Sequence, residues 1–215
     1  MEKITLYPEL EQAYNLFLTQ VYNPKSVLYP CCATDATPSK VFDNVTYIDL
    51  DKEFITTLQQ AKLNAYYQDI RSYHPTQPHD LLILLNPAIP PEWATQHLQT
   101  DGYIIANNWH ETATTLHYNP KFFDLYGTIN YKPTPTLSTD LTNLFHPIKD
   151  EQEFQQYRPK EYEFMKKVIS NFASQRTIPS SENASFTEQL QAFCQAMDKE
   201  MPYRRVCDLY IFKKK

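Results

Sequence analysis

The side chains suited to chemistry fall in a few short clusters. Asp49 closes the segment Val45-Thr46-Tyr47-Ile48-Asp49, and Asp69 lies in Tyr67-Gln68-Asp69-Ile70. A carboxylate accepts two hydroxyl hydrogen bonds at once, which suits a vicinal diol. The plainer role for such an acid is to cap the next helix, and Asp51, directly before Lys52, is better placed for that work. Asn86-Pro87 follows the apolar run Leu81 to Leu85, and Asn-Pro is also an ordinary turn dipeptide. Asn107-Asn108-Trp109-His110-Glu111 holds an imidazole, His110, of a type used as a general base. No neighbouring residue in the sequence positions a partner for it, so a surface histidine is the simpler reading. Four cysteines, Cys31, Cys32, Cys194 and Cys207, form no C-x-x-C and have no histidine at finger spacing. No metal site is therefore expected, and the thiols read as small buried residues in reduced form. No Ser-His-Asp or Cys-His arrangement is legible.

The elements that must hold these groups alternate. Residues 8 to 22 have Leu10, Ala13, Tyr14, Phe17, Leu18 and Val21 on one helical face. A short strand at 26 to 29 leads into Pro30-Cys31-Cys32-Ala33-Thr34-Asp35, and Cys31 and Cys32 are expected on opposite sides. A second strand spans 45 to 50, a helix about 52 to 66, and a short third strand 68 to 70. The unbroken run Asp80 to Leu85 implies a strand buried on both faces. Pro91 suits the start of a helix, Asp101-Gly102 a turn, and Tyr103 to Ala106 a fifth strand. Apolar strands alternating with helices indicate an α/β fold, a doubly wound and mostly parallel sheet of at most seven strands.

Further along, Leu125 to Tyr131 reads as a strand, and Lys132 to Thr136, with its two prolines, cannot be a central one. A helix is expected over Pro159 to Ser174, with Phe164, Met165, Val168, Ile169, Phe172 and Ala173 inward. Gln175 to Asn183 reads as a loop, and Ser185 with Glu188 as a capping box for a last helix. Asp208 to Phe212 forms a terminal strand before three solvated lysines.

Composition excludes several classes. The chain has 215 residues, 21% charged, with a net charge of −5, which gives no strong nucleic-acid signal. No apolar run approaches the roughly 20 residues of a membrane helix, and no export signal is visible, so a cytoplasmic protein is expected. Only two glycines occur, where average usage of about 7% would give about 15. A G-x-G-x-x-G fingerprint and a Walker A loop are both excluded, which counts against a dinucleotide oxidoreductase.

The order of elements, with Asp49 ending the second strand and Asn86-Pro87 leaving the fourth, resembles the class I S-adenosylmethionine-dependent methyltransferases. The similarity covers roughly residues 8 to 110 plus the last ten. It implies a Rossmann-like methyltransferase sheet with an antiparallel C-terminal strand, a single domain over 1–215 and helical embellishment at about 155–201. It further implies S-adenosylmethionine as cofactor, cradled by Tyr29, Cys31, Cys32, Ala33 and Asp35, with Asp49 on the ribose and Asp69 near the adenine. On the acceptor side it implies Asn86 and Pro87; His110 is a candidate from its place after the fifth strand, at the carboxyl edge where open α/β sheets bind ligands. Asn86-Pro87 is similar to the first half of the Asn-Pro-Pro-aromatic motif of amino-methyltransferases, but Ala88 and Ile89 follow. The family's cofactor loop is glycine-rich, and this one has no glycine. Two readings therefore stand: a methyltransferase acting on an unidentified acceptor, such as a small molecule, or a catalytically inactive methyltransferase fold serving as a binding or scaffold module.

Overall fold

The computed structural model describes residues 3–142, 144–174, 184–198, 201–204 and 206–215. They divide into two compact units, the first built from residues 1–141 and 207–215 and the second from 142–206.

The first unit begins with helix α1 (Pro8–Gln20), whose 3-4 stripe Leu10, Ala13, Tyr14 and Phe17 is buried. The strands are β1 (Val27–Pro30), β2 (Val45–Asp49), β3 (Asn64–Tyr67), β4 (His79–Leu84), β5 (Leu98–Ala106), β6 (Phe123–Asn130), β7 (Thr136–Ser138) and β8 (Leu209–Lys214). Helices α2 (Lys52–Gln60), α3 (Glu92–Thr95) and α4 (Thr112–His117) lie between strands. The sheet order is β3-β2-β1-β4-β5-β8-β6-β7. β1 to β5 are mutually parallel, β8 is antiparallel to both β5 and β6, and β7 is antiparallel to β6.

Chain order reverses between β1 and β4, which are neighbours through Val27–Leu81 and Leu28–Leu82. That reversal is the switch point at which open α/β sheets bind ligands, beyond the carboxyl ends of the strands. β4 is buried along its whole length, as its unbroken apolar run requires. One side of the sheet packs Val27, Tyr29, Val45, Tyr47, Leu81 and Ile83 against the α1 stripe. Asp80 locks the entrance of β1, its Oδ2 accepting from the Lys25 and Ser26 N–H groups at 2.6 and 3.0 Å.

Several boundaries differ from expectation. The sheet has eight strands rather than seven, the extra one being the three-residue β7. It sits on the sheet edge, where the preceding prolines remove no ladder hydrogen bond. The α2 helix stops at Gln60 because Lys62 turns left-handed (φ 63°), and β3 then occupies 64–67 rather than 68–70. Asp101-Gly102 lies inside β5, at an irregularity in its pairing with β4. A Cβ on Gly102 would meet Leu98 Cδ1 at 2.8 Å and Asp80 O at 3.0 Å, so any side chain there requires its neighbours to shift.

The lysines at the end are not simply solvated. Lys213 and Lys214 belong to β8, and Lys214 Nζ donates to the Thr95 and Leu98 carbonyls at 2.9 and 2.6 Å. These carbonyls flank the end of α3 and the start of β5, so a cation there complements negative backbone dipoles.

The second unit contains α5 (Glu151–Tyr157), α6 (Pro159–Ser174) and α7 (Phe186–Ala196) around Phe154, Tyr162, Ile169, Phe186, Leu190 and Cys194. The Ser185–Glu188 capping box is formed. Phe164, expected inward, is 65% exposed, because the buried stripe of α6 follows Tyr162, Met165, Ile169 and Phe172. The Ala173 side chain and the loop expected at 175–183 lie outside the described residues.

Candidate functional site at the carboxyl edge of the sheet

The chain leaving β1 builds a sharp turn without glycine. Cys31 (φ 53°) and Ala33 (φ 47°) both adopt left-handed backbone, which costs an L-residue about 1–2 kcal/mol. The Cys31 N–H is held by the Ile48 carbonyl at 2.8 Å. The Ala33 N–H donates to Asp49 Oδ2 at 3.1 Å, while Asp49 Oδ1 accepts from the Asp51 N–H at 2.9 Å. Asp51 in turn caps α2, accepting from the Glu53 and Phe54 N–H groups. The Asp49 carboxylate thus bridges the β1 turn and the entrance of α2, with lone pairs to spare on each oxygen.

The Cys31 thiol is half-buried and is pushed up to about 11 by burial, then by the Asp49 charge. The Ala88 N–H, beyond β4, acts on it in the opposite sense, and the Asp69 charge adds a smaller upward push. Cys31, Ala33, Asp49 and the β4 exit therefore meet on one edge. Cys32 faces inward as the alternation requires: it is 2% exposed, and burial raises its thiol pKa.

Tyr29 and Asp35 also lie inside rather than on the edge. Asp35 Oδ2 accepts from Tyr29 Oη at 3.1 Å, and Oδ1 accepts from Thr37 N and Oγ1 at 2.9 and 2.5 Å. Burial raises the Asp35 carboxyl pKa against these hydrogen bonds. Buried in this network, Tyr29, Cys32 and Asp35 shape the turn from inside. A strap from the N-terminal side clasps the same turn. Thr5 N–H donates to Thr34 O at 2.8 Å, Ala36 N–H to Thr5 O at 2.9 Å, and Tyr7 N–H to Thr37 Oγ1 at 3.0 Å.

At the β3 exit Asp69 caps the short 3₁₀ helix Ile70–Ser72 and takes the Arg71 Nε at 3.0 Å on both oxygens. Arg71 pulls its carboxyl down to about 2, and the Arg71 guanidinium lies 4.6 Å from the Trp93 ring centroid. Asp69 is thus already engaged by a fixed cation.

At the β4 exit Asn86 is left-handed (φ 52°). It forms a reciprocal pair with Asn107 at the end of β5: Asn86 N–H to Asn107 Oδ1 at 3.0 Å, and Asn107 Nδ2 to Asn86 Oδ1 at 2.7 Å. Pro87 is buried and His110 is exposed in the following turn. The neighbouring Asn108 is structural, exchanging hydrogen bonds with Thr114 at 2.8 and 3.0 Å.

Sequence reasoning missed Asn107, Arg71 and Leu50. Asn107 was within the stretch singled out after β5, but only register shows that it faces Asn86. Leu50, 63% exposed beside Asp49, is an apolar group left in water at the sheet edge, and nothing in its type distinguishes it from a core leucine. Among the described residues no cluster of three histidine, cysteine or acidic side chains could hold a metal, and no helix is long and apolar enough to cross a membrane.

No protein-family model and no curated protein matches the sequence. Among solved structures, the chain is similar to the N-methyltransferase NodS of Bradyrhizobium japonicum in complex with S-adenosyl-L-homocysteine. That likeness has 15% identity and a TM-score of 0.43, over 53% of this chain and 72% of the other. It is also similar to a S-adenosylmethionine-bound amino pentose methyltransferase of Micromonospora echinaspora, with 15% identity and a TM-score of 0.39, over 45% and 48% of the two chains. The strand order, with its reversal at β1/β4 and the antiparallel β8, decides the fold independently. The chain has the class I methyltransferase fold.

Proposed function

We propose that the carboxyl edge binds S-adenosylmethionine and that the protein transfers its methyl group to an acceptor whose identity the site leaves open. The observation that carries this reading is the β1 turn. Two residues with side chains, Cys31 and Ala33, hold the left-handed backbone for which glycine is ordinarily used, and the turn delivers a backbone N–H to the Asp49 carboxylate. Strained backbone of this kind persists only where the surroundings over-determine it, and such strain gathers at ligand sites.

The residues present fit the cofactor. Asp49 has lone pairs for a ribose diol, the β1 turn lets backbone come close, and exposed Leu50 offers an apolar surface to a flat base. When bound, the sulfonium would supply an electrophilic methyl group. The chain's own part would be to fix the ribose through Asp49, to exclude bulk from the β1 turn through small side chains, and to present the Asn86 carboxamide beyond β4. Asp69, held by Arg71, and His110 are peripheral candidates in this reading.

A second reading has its own support. The Asn86 carboxamide is paired with Asn107, no aromatic follows Asn86-Pro87, and these features favour a module that binds the cofactor without methyl transfer. Thermal unfolding with S-adenosylhomocysteine tests binding, and methyl release from radiolabelled S-adenosylmethionine onto offered amines, proteins and nucleic acids tests transfer. A melting shift with transfer supports the enzyme. A shift without transfer supports a module that binds the cofactor, and no shift refutes cofactor binding and leaves the inactive fold as a binding or scaffold module.

A further inference from the structure

The connection from β3 to β4 carries no α-helix. After the 3₁₀ turn Ile70–Ser72 the chain runs without a helix to His79 and passes beside the starts of β2 and β3. By the two-residue period of a strand, Asn64 and Tyr66 share one side of β3, with Gln68 just beyond. Together with Thr46 and the loop they line an open cleft of about 550 Å³, within the roughly 300–1,000 Å³ of small-molecule sites.

Its chemistry is unusual for this chain. Charged residues make up 21% of the sequence, yet none of the fourteen lining residues is Asp, Glu, Lys or Arg. A charged ligand would lose hydration there without a counter-ion, which is expensive. The lining offers carboxamides, hydroxyls and imidazoles instead. A carboxamide sets a donor beside an acceptor, the pattern that neighbouring hydroxyl groups match.

The network is partly committed and partly not. Asn64 Nδ2 donates to Thr46 Oγ1 at 3.0 Å, and Gln68 Nε2 ties the loop down through Ser72 O at 2.8 Å. His79 is 7% exposed; its Nε2 shares a 3.0 Å hydrogen bond with Tyr73 Oη, and its Nδ1 has no hydrogen-bond partner among the described residues. Burial, and then His97, hold this imidazole down to about 4, so it is neutral. The Tyr66 ring is 46% exposed, a flat apolar surface with a polar tip.

We propose that this cleft is a second binding site, separate from the carboxyl edge, for a neutral ring bearing vicinal hydroxyls, as in a saccharide or a nucleoside. The carboxamides of Asn64 and Gln68 recognise the hydroxyl pair and Tyr66 supports the ring face.

The test is titration of the full chain, by calorimetry and ligand-observed NMR, with methyl glucoside, maltose, adenosine and uridine, and with glucose 6-phosphate as a charged probe. At least one neutral probe should bind in the millimolar range, with the phosphate about tenfold weaker or worse. Tyr66→Ala and Asn64→Ala, both at exposed positions, should each weaken that binding by about tenfold while circular dichroism shows the fold retained. Binding of the glucosides identifies a saccharide site, and binding of the nucleosides alone a nucleoside site. Adenosine binding that Asp49→Ala abolishes and Tyr66→Ala spares belongs to the carboxyl edge and overturns the proposal. So does failure of every neutral probe to bind, or equal binding of glucose 6-phosphate.

Discussion

The turn after β1 and the turn after α2 place residues with side chains in the same left-handed backbone region, and they do so for different ends. At Lys62 the conformation closes a helix. The Lys62 N–H reaches Gln59 O at 2.9 Å and the Leu63 N–H reaches Leu58 O at 3.1 Å, so the strain is offset by carbonyls that would otherwise be unpaired. At Cys31 and Ala33 no helix ends. The strain there ties the Ala33 N–H to the Asp49 carboxylate at the open edge of the sheet. A left-handed residue therefore points to a ligand only when helix termination does not already account for it.

The largest expected effect concerns what pins the β1 turn. Asp35→Ala strands the Tyr29 hydroxyl and the Thr37 N–H inside, at about 1–3 kcal/mol for each unpaired buried group. Urea unfolding should show a loss of about 2–4 kcal/mol, against no such network at Lys62. A loss under about 0.5 kcal/mol would mean that the turn holds its shape without Asp35.

Ligand comes next. A compound at 100 times its dissociation constant stabilises the native state by about 2.7 kcal/mol. S-adenosylhomocysteine at that level should raise the melting temperature by about 5–10 °C in a chain of this size. An unchanged melting curve at millimolar concentration would leave the β1 strain without a ligand to explain it.

Asp49→Ala should then weaken that ligand by about 1.5–3 kcal/mol, the scale of hydrogen bonds to a charged group. Stability without ligand should fall by at most about 1 kcal/mol, because the carboxylate also holds the Ala33 and Asp51 N–H groups. Calorimetry that finds equal affinity in the variant would move the diol contact elsewhere.

The smallest effects compare the two turns directly. Removing a left-handed penalty of about 1–2 kcal/mol, less the extra freedom glycine gives the unfolded chain, should leave Lys62→Gly and Ala33→Gly each about 0.5–1 kcal/mol more stable. Only Ala33→Gly should also tighten the ligand, since only there does a Cβ stand on the approach. If both substitutions change affinity alike, the distinction between the turns is lost.

The parallel half of the sheet was legible because burial on both faces leaves uninterrupted apolar runs, as in Leu81 to Leu85. The α2 boundary was not, since Ala61 and Ala65 continue a helical spacing that Lys62 interrupts by backbone conformation alone. Asp49 could be singled out from its place at a strand end, and its twofold grip on the Ala33 and Asp51 amides could not. Asp35 shows the converse: the resemblance puts its acid on the cofactor, while the partners that bury it, Tyr29 and Thr37, lie on both sides of the turn. The Asn86–Asn107 pair depends on the register of β4 and β5, which no local pattern encodes.

The position of β8 has a consequence for assembly. It lies between β5 and β6, yet the Ile104–Phe212 and Leu125–Phe212 pairs join residues about a hundred positions apart in the chain. Until this strand arrives, β5 presents a bare apolar edge and the β6–β7 hairpin has no sheet to join. Contacts of such range form late and slowly, and an open edge recruits other chains in the meantime. Folding yield should therefore depend steeply on protein concentration, with the growing chain most vulnerable before residues 209–214 have been made.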